Sequence, residues 1–274
     1  MALSKLGYQA NCWGPLGGDA VGVTSIKDLY YRTFADMSRA FADIGEAGYQ
    51  GVEIFDGNLV DYADRSSDLA RQLANAGLTL VAVYSGGNFI FPDILDEELW
   101  RIERVAGLAA IAGALHLVVG GGAKSSAGAA DDDYKRLAEA LDRVVAIAEK
   151  HGMSAQYHPH LTTIVETPEQ VARILSLSRI QFCPDTGHLA AGGGDPARLI
   201  ADHFDRIGYV HLKGLQREPF AFTPIDRGDV DLSGVVGLLE KRSFEGWVTV
   251  ELDAWDDPKA AAAQSRRFLN HTSR

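Results

Sequence analysis

The sequence predicts an α/β fold in which eight parallel strands, each followed by a helix, close into a (β/α)8 barrel, the TIM-barrel architecture. Strand-like apolar runs and helical segments alternate strictly through all 274 residues, which is typical of parallel α/β proteins. No composition shift or linker divides the chain, so a single domain covering 1–274 is expected.

In the first half of the chain, short apolar runs that end at glycine or proline predict strands, and apolar residues at helical spacing predict helices. The predicted strands cover 6–13, 51–55, 78–84 and 116–119. The predicted helices cover 26–47, 60–76, 95–112 and 131–150. The last of these starts with Asp131-Asp132-Asp133, which suits the positive end of the helix dipole.

The second half repeats the alternation. Strands are predicted at 154–157, 179–183, 207–212 and 246–252. Two helices open with a capping residue followed by proline, at Thr167-Pro168 and Asp195-Pro196. Further helices are predicted at 232–241 and 258–269, after a long loop at 214–231.

A doubly wound open sheet is the structural alternative, because it shares this alternation. No Gly-x-Gly-x-x-Gly follows the first predicted strand, so the dinucleotide-binding version lacks its main support. The run Gly120-Gly121-Gly122 has no Lys-Ser/Thr at Walker spacing, which favours a tight turn at a strand end.

Composition argues against several classes of function. The formal net charge of −11 opposes binding to a phosphate backbone, so no nucleic-acid partner is expected. The two cysteines, Cys12 and Cys183, imply no disulfide framework and favour a reducing, cytoplasmic location. No apolar run approaches the roughly 20 residues of a membrane span, and the N-terminus does not resemble a signal peptide.

Polar side chains gather where the last four predicted strands end, which is where barrel enzymes carry their active residues. In chain order they are His158, His160, Asp185, His188, His211, Lys213, Glu251 and Asp253. Side chains two positions apart on a strand share a face, so most of these residues form pairs that point the same way. His116 begins the fourth strand and is expected at the opposite rim.

One residue from each of these four strands gives a geometrically natural set of metal ligands, His160, Asp185, His211 and Glu251. Nitrogen and oxygen donors suit a borderline divalent ion, and four of them leave positions open for a substrate. Two structural roles stay open: His211 as a core histidine bonded to a backbone carbonyl, and Glu251 as the partner of a lysine.

Three further residues are candidates for substrate binding. Glu53, on the second strand, is either a substrate contact or part of a structural ion pair. Trp13, at the end of the first strand, is either a core residue or a platform on which a sugar stacks. Arg227, in the long loop, is either solvated or reaches over the barrel mouth to bind substrate oxygens.

Several segments give the chain a resemblance to the sugar isomerase/epimerase-like barrels related to xylose isomerase and endonuclease IV. The nearest likeness is to the inosose (2-keto-myo-inositol) dehydratases, whose segments Tyr-His-His-His, Asp-Thr-Gly-His and Val-His-Leu-Lys have counterparts here. The counterparts are Tyr157-His158-Pro159-His160, Asp185-Thr186-Gly187-His188 and Val210-His211-Leu212-Lys213.

The resemblance implies a divalent metal ion, Mn, Co or similar, bound through Asp185, His211, Glu251 and one residue of strand five. The wider family mostly has a glutamate on that strand, whereas this chain offers only histidines; we expect His160 as the ligand and His158 as a base. Pro159 and Gly214 also depart from the family pattern, so a substrate other than inosose stays open.

The resemblance, above all that of strand five, implies a metal-dependent lyase that dehydrates a keto-inositol or keto-sugar. The ion would bind a ketone and its neighbouring hydroxyl and stabilise an enediolate, while His158, or Lys213 with a depressed pKa, removes the α-proton. His188 would return a proton either to a hydroxyl, which releases water, or to carbon, which makes the enzyme an isomerase or epimerase.

Two functions from other classes are weighed against the lyase. A metal-dependent nuclease would need a basic face for DNA, which the net charge of −11 opposes. A non-catalytic sugar-binding barrel would need no metal. The partners expected are a sugar or cyclitol substrate and, by resemblance, further copies of the chain in a homodimer or homotetramer.

Overall fold

The structure is a computed structural model that describes residues 2–16 and 30–272. Its strands are β1 (Leu6–Gln9), β2 (Gly51–Phe55), β3 (Thr79–Gly87), β4 (His116–Gly121), β5 (Ser154–Tyr157), β6 (Gln181–Phe182), β7 (Tyr209–Leu212), β8 (Gly214–Gln216), β9 (Ala221–Thr223) and β10 (Trp247–Val250). Its α-helices are α1 (Met37–Glu46), α2 (Asp56–Val60), α3 (Ser66–Ala76), α4 (Pro92–Ile111), α5 (Asp131–Lys150), α6 (Pro168–Leu177), α7 (Thr186–Ala191), α8 (Pro196–Asp202), α9 (Leu232–Lys241) and α10 (Pro258–Thr272).

Eight of the strands form a parallel barrel in the order β6-β5-β4-β3-β2-β1-β10-β7. Two parallel bridges, Phe182 to Ile207 and Asp185 to His211, join β6 to β7 and close the circle. Closure excludes the open-sheet alternative and confirms the predicted (β/α)8 fold class. That the whole chain 1–274 forms one domain remains a prediction.

The alternation of side chains along the strands divides the core into two layers. The larger layer lies between the barrel and its helices and contains Leu80, Leu117, Val210 and Val248 among many others. The smaller cluster faces into the barrel and consists of Phe55, Val81, Ala82, Tyr84, Val118, Cys183 and Tyr209. The barrel lumen therefore contains an apolar cluster next to the charged site described below.

The structure differs from two of the predicted boundaries in the first half of the chain. The predicted strand 6–13 ends at Gln9, and Ala10–Trp13 form a 3-10 turn. The predicted helix 26–47 is wrong over residues 30–36, because Asp36 accepts a hydrogen bond from the Ser38 amide and starts α1 at Met37. Residues 26–29 of that prediction lie outside the described residues.

Other predicted boundaries differ in smaller ways. The predicted helix 60–76 begins later, as α3 at Ser66, and the short helix α2 ends at Val60, where the predicted helix was expected to begin. The loop expected at 214–231 contains the antiparallel hairpin of β8 and β9. The predicted spans of β2, β5, α5 and α9 agree with the structure.

The glycine run at the end of β4 is needed for packing and shape. A side chain on Gly120 would lie 2.0 Å from the Tyr84 hydroxyl, and Gly121 has a φ of 133°. These glycines therefore belong to a strand end, as the sequence predicted, and allow Tyr84 to lie across the lumen.

Two further findings apply to the part of the chain that the structure describes. Within it, no helix combines the length and apolar character that crossing a bilayer requires. Both cysteines, Cys12 and Cys183, are buried free thiols.

Candidate active site

Four buried side chains converge at the C-terminal end of the barrel: His158, Asp185, His211 and Glu251. One nitrogen or oxygen atom from each lies within 4.8 Å of the others. In each residue such an atom has no hydrogen-bond partner among the described residues, namely both ring nitrogens of His158, Asp185 Oδ2, His211 Nδ1 and Glu251 Oε2. Buried polar atoms without partners are rare and costly, so their convergence indicates a missing common partner.

The Asp-Thr-Gly-His segment positions one side of this group. Asp185 caps the short helix α7, because its Oδ1 accepts a hydrogen bond of 2.7 Å from the His188 amide and leaves Oδ2 for the group. The Thr186 hydroxyl accepts from the Lys213 amide and donates to the Lys213 carbonyl, both at 2.8 Å. A side chain on Gly187 would lie 2.8 Å from Lys213 Cγ, so this glycine makes room for the lysine stem.

The sequence predicted no helix between the strand at 179–183 and Asp195-Pro196, whereas the structure has α7 there. The cause is the cap itself, because a carboxylate that accepts a backbone amide three residues later starts a helical turn. His188 therefore lies on the first turn of α7, where it points back towards the barrel mouth.

His211 is oriented by a chain of hydrogen bonds across the lumen. Its Nε2 lies 3.0 Å from Glu53 Oε2, and Gln9 Nε2 donates to Glu53 Oε1 at 2.7 Å. All three side chains are completely buried. Because Nε2 faces a carboxylate, His211 presents Nδ1 to the group, 2.6 Å from Glu251 Oε2 and 4.0 Å from Asp185 Oδ2. The 2.6 Å contact lacks hydrogen-bond geometry.

Lys213 lies beside the group as a buried ammonium. Its Nζ is 3.0 Å from Glu251 Oε1, 3.1 Å from Asp253 Oδ1 and 3.2 Å from His188 Nε2. It also lies 4.6 Å from the centre of the Phe222 ring on β9. Asn11 donates a further hydrogen bond of 3.3 Å to Asp253 Oδ1.

Carboxylates outnumber cations in this buried space. Glu53, Asp185, Glu251 and Asp253 are all buried, and the basic groups among them are Lys213 and His211. Burial raises the pKa of Asp185 to about 7, and burial also raises the pKa of Asp253. Burial thus opposes ionisation of both carboxyls more strongly than the charge of Lys213 favours it.

The other ionisable groups show the same imbalance. Burial lowers the pKa of His211, but Glu53 and Glu251 outweigh it and raise that pKa to about 10. Burial likewise opposes the charge of Lys213, yet Asp253 and Glu251 raise its pKa above the ordinary value. Burial opposes ionisation of Glu251, but Lys213 and His211 hold its pKa well below the usual range.

His160 and His188 form a second, uncharged layer above the group. Their ring centres are 3.8 Å apart, and burial lowers the pKa of each ring. His160 Nδ1 lies 2.7 Å from the Leu161 carbonyl, which can only accept, so His160 keeps a lone pair on Nε2.

His188 has the opposite arrangement. The Lys213 ammonium can only donate to His188 Nε2, so His188 carries its proton on Nδ1. The Leu161 amide also donates towards Nδ1, at 3.5 Å, and this is the longer and weaker of the two contacts.

The four-residue group contains His158 where the sequence predicted His160. His158 is completely buried and stacks edge-on against Tyr84 and His211, at 5.4 and 5.0 Å between ring centres. His160 is half-buried and is absent from that group. Because strand alternation places both on one face, the sequence could not decide between them.

Two of the candidate substrate-binding residues lie apart from the group. The Trp13 indole donates to Asp43 Oδ2 on α1 at 3.0 Å, and its ring packs on Tyr8. Arg227 is exposed and contacts Gln264 on α10 and the Trp255 ring. Neither lies in contact with His158, Asp185, His211 or Glu251 among the contacts of the described residues.

Three residues of the site were not assigned from the sequence. Asp253 carried a signal, since it lies two positions after Glu251 and strand alternation puts both on one face. Gln9 carried only a weak signal, because it precedes the 3-10 turn that was mistaken for strand. Phe222 carried none, since the hairpin that brings it to His188, 4.8 Å between ring centres, was expected as loop.

The donor set of the four-residue group fits a divalent cation. Two imidazole nitrogens and two carboxylate oxygens are ligands that Mn, Co and Zn accept, and a cation would give the unpartnered atoms a common partner. It would also balance the surplus of buried carboxylates.

Comparison with known proteins agrees with this architecture. Residues 41–272 match the model of the family described as xylose isomerase-like TIM barrel. The chain is 27% identical over 162 residues to an inosose dehydratase from Clostridium perfringens, a match that covers 51% of this chain and 54% of that protein. It thus spans about half the length of several curated relatives that it matches.

Other similarities cover more of the chain. An inosose dehydratase from Geobacillus kaustophilus is 27% identical over 258 residues, which is 82% of each protein. The crystal structure of the probable 3-DHS dehydratase AsbF from Bacillus anthracis superposes with a TM-score of 0.75 at 15% identity, covering 97% of this chain and 99% of that one. The latter shares the fold. From the family match, the chain belongs to the xylose isomerase-like TIM barrel family.

Proposed function

We propose that this protein is a divalent-metal-dependent dehydratase that removes water from a keto-inositol or a related keto-sugar. The observation that carries the proposal is the convergence of unpartnered atoms from His158, Asp185, His211 and Glu251 beside two neutral imidazoles. The similarity to inosose dehydratases supports the substrate class.

His158, Asp185, His211 and Glu251 would hold the ion, with His158 in the position that the sequence gave to His160. When bound, the ion would polarise a ketone and acidify the hydrogen on the neighbouring carbon. The buried setting strengthens that effect, because little water competes for the charges. Mn or Co suits the mixed nitrogen and oxygen donors, and the choice among these ions belongs to the test below.

Two imidazoles would move the protons. His160 keeps a lone pair on Nε2 and acts as the base that takes the α-proton. His188 carries a proton on Nδ1 and gives it to the departing hydroxyl, which leaves as water, while the Lys213 ammonium passes a proton to Nε2 so that the ring stays neutral. The rings lie 3.8 Å apart between centres, so the proton taken by His160 can return through His188 to Lys213 and restore all three groups for the next turnover.

Lys213 supports the acid in this scheme. Its ammonium donates to His188 Nε2 and thereby fixes the proton of His188 on Nδ1. Asp253 and Glu251 hold the ammonium in place. The raised pKa of Lys213 argues against its use as the base, because it keeps the amine charged.

The placement of the two imidazoles favours elimination over epimerisation. An epimerase must remove a proton from one face of a carbon and return one to the other face. His160 and His188 lie 3.8 Å apart between ring centres, so a substrate carbon cannot lie between them with one ring at each face. An isomerase that returns the proton to the same face is the alternative that the same residues can serve.

Incubation of the Mn-loaded protein with 2-keto-myo-inositol in deuterated water tests the proposal. Dehydration is expected to give a diketone with a new ultraviolet absorbance, at a rate that a chelator abolishes. Deuterium incorporation without loss of water would instead indicate the isomerase. If neither inosose nor a panel of keto-sugars reacts with any of Mn, Co, Mg or Zn present, the proposed function is wrong.

A further inference from the structure

We infer that Gln9 and Glu53 are positioning residues that set the metal affinity of the site by fixing His211, and that Glu53 does not contact the substrate. The inference rests on the proposed metal-dependent function and concerns residues that lie outside the ligand set. It gives Gln9 a role and, of the two roles left open for Glu53, favours the structural ion pair over the substrate contact.

The contact between Glu53 and His211 spans the barrel. Glu53 is on β2 and His211 on β7, and β1 and β10 lie between them in the sheet order. The 3.0 Å contact therefore crosses the lumen and does not follow from neighbouring strands. The contact requires the Glu53 side chain to point into the lumen.

The backbone of β2 is irregular at Glu53, which favours the inward direction of its side chain. Its pairing with β3 changes register between Val52 and Glu53, which marks a bulge. Bulges re-aim a side chain relative to the regular strand and occur next to active sites. The pairing with β1 stays regular and places Gln9 directly beside Glu53.

Both carboxylate oxygens of Glu53 are engaged. Oε1 accepts from Gln9 at 2.7 Å and Oε2 faces His211 Nε2 at 3.0 Å, and the residue is completely buried. A carboxylate held at both ends inside the lumen is not available to a substrate at the barrel mouth. The expected direct role in binding is thus disfavoured by geometry.

The orientation of the Gln9 side-chain amide also supports a positioning role. Its amide nitrogen donates to Glu53, whereas its Oε1 is buried and has no partner among the described residues. An unpartnered buried oxygen carries a free-energy cost, which the structure tolerates while it keeps the donor on Glu53. The amide thus holds the carboxylate that holds His211.

The consequence is a defined tautomer for His211. In the neutral ring that a metal ion requires, a carboxylate at Nε2 keeps the proton there and leaves the lone pair on Nδ1, which faces Asp185 and Glu251. Carboxylate partners of this kind orient the ligand and raise its basicity, and their loss typically weakens metal binding about 10–100-fold.

The test measures the Mn affinity from the signal of free Mn in electron paramagnetic resonance. We expect Glu53→Gln to weaken binding about 10-fold and Glu53→Met up to about 100-fold, while Gln9→Met has the smallest effect of the three. Gln156→Met is the matched control, since Gln156 is also a fully buried barrel glutamine but contacts Ser154 and Gln181. It should leave Mn affinity unchanged.

Kinetics separate positioning from substrate contact. At saturating Mn, Glu53→Gln is expected to regain most of its turnover with an unchanged KM. If Mn affinity were unchanged and KM were raised, Glu53 would be a substrate contact and the inference would be overturned. An equal loss of Mn affinity in Gln156→Met would also overturn it, because the effect would then be general. Failure to react with any keto-sugar would refute the proposed function alone, since the affinity measurement needs no substrate.

Discussion

His116 and His211, at opposite ends of the barrel, lie in opposite electrostatic surroundings. At the N-terminal end, His116 bonds to Ser154 at 2.9 Å, and Thr249 bonds to Tyr209 at 2.7 Å. Burial, with a smaller contribution from Lys5, lowers the pKa of His116 to about 4. At the C-terminal end, carboxylates raise the pKa of His211 to about 10 despite complete burial.

The difference also concerns hydrogen bonding. Polar groups at the N-terminal end pair mainly with one another. Among them, Gln156 Oε1 is a buried atom without a hydrogen-bond partner. At the C-terminal end, atoms of four neighbouring residues are left without partners around one point. Paired groups of this kind stabilise the fold, whereas convergent unpaired groups mark a place where something binds.

The largest expected effect separates the two histidines directly. His211→Ala should abolish measurable Mn binding and lower turnover about 10²–10³-fold, because the loss of the ion removes several kcal/mol of transition-state stabilisation. His116→Gln should change neither quantity. Equilibrium dialysis with elemental analysis and an inosose assay measure both. Comparable losses in the two variants would remove the distinction between the ends.

Metal addition should stabilise the protein through the C-terminal end alone. At a concentration 100 times the dissociation constant, an ion that binds only the folded state adds about 2.7 kcal/mol, which raises Tm on the order of 5–10 °C. Scanning calorimetry should show this shift in the wild type and in His116→Gln. A shift of the same size in His211→Ala would place the ion elsewhere.

The N-terminal end should respond to pH. The folded-state pKa of His116, about 4, lies below the ordinary value near 6.5, so the unfolded state binds more protons between these values. Stability should therefore fall as the pH decreases from about 6.5 to about 4. Urea titrations of the metal-free protein at several pH values measure this. In His116→Gln the free energy of unfolding should fall less steeply with decreasing pH, and the difference in slope should correspond to the uptake of at most one proton. Equal slopes would contradict the assignment.

The smallest effects compare two helical glycines. In Gly187→Ala the new Cβ would lie 2.8 Å from Lys213 Cγ, so we expect about 1–3 kcal/mol of destabilisation and reduced turnover. Gly237, exposed on α9, has no atom within 4 Å of such a Cβ, so Gly237→Ala should stabilise by up to about 1 kcal/mol. Urea unfolding and the inosose assay test both, and equal effects would show that Lys213 tolerates displacement.

Most of the architecture was predictable because the alternation of strands and helices repeats through the chain. The boundaries that failed depend on single side chains, as at Asp36 and Asp185, whose carboxylates start α1 and α7. These caps become visible only when the backbone amide that they bind is known. A capping residue followed by proline, as at Thr167, was a clearer signal and was confirmed.

The candidate site was predictable as a set of strand ends but not as a geometry. Asp185, His211 and Glu251 could be chosen because parallel strands bring their C-terminal ends together. The choice between His158 and His160 depends on depth in the lumen, which strand alternation does not give. The contact of Glu53 with His211 depends on a bulge and a crossing of the barrel, neither of which leaves a pattern in the sequence.

Anomalous diffraction from crystals grown with Mn tests the central claim most directly, since it locates the ion independently of activity. The account predicts one anomalous peak per chain, bound by a His158 ring nitrogen, Asp185 Oδ2, His211 Nδ1 and Glu251 Oε2. A peak bound through His160 without His158, or a fully Mn-saturated crystal with no peak between Asp185, His211 and Glu251, would contradict it.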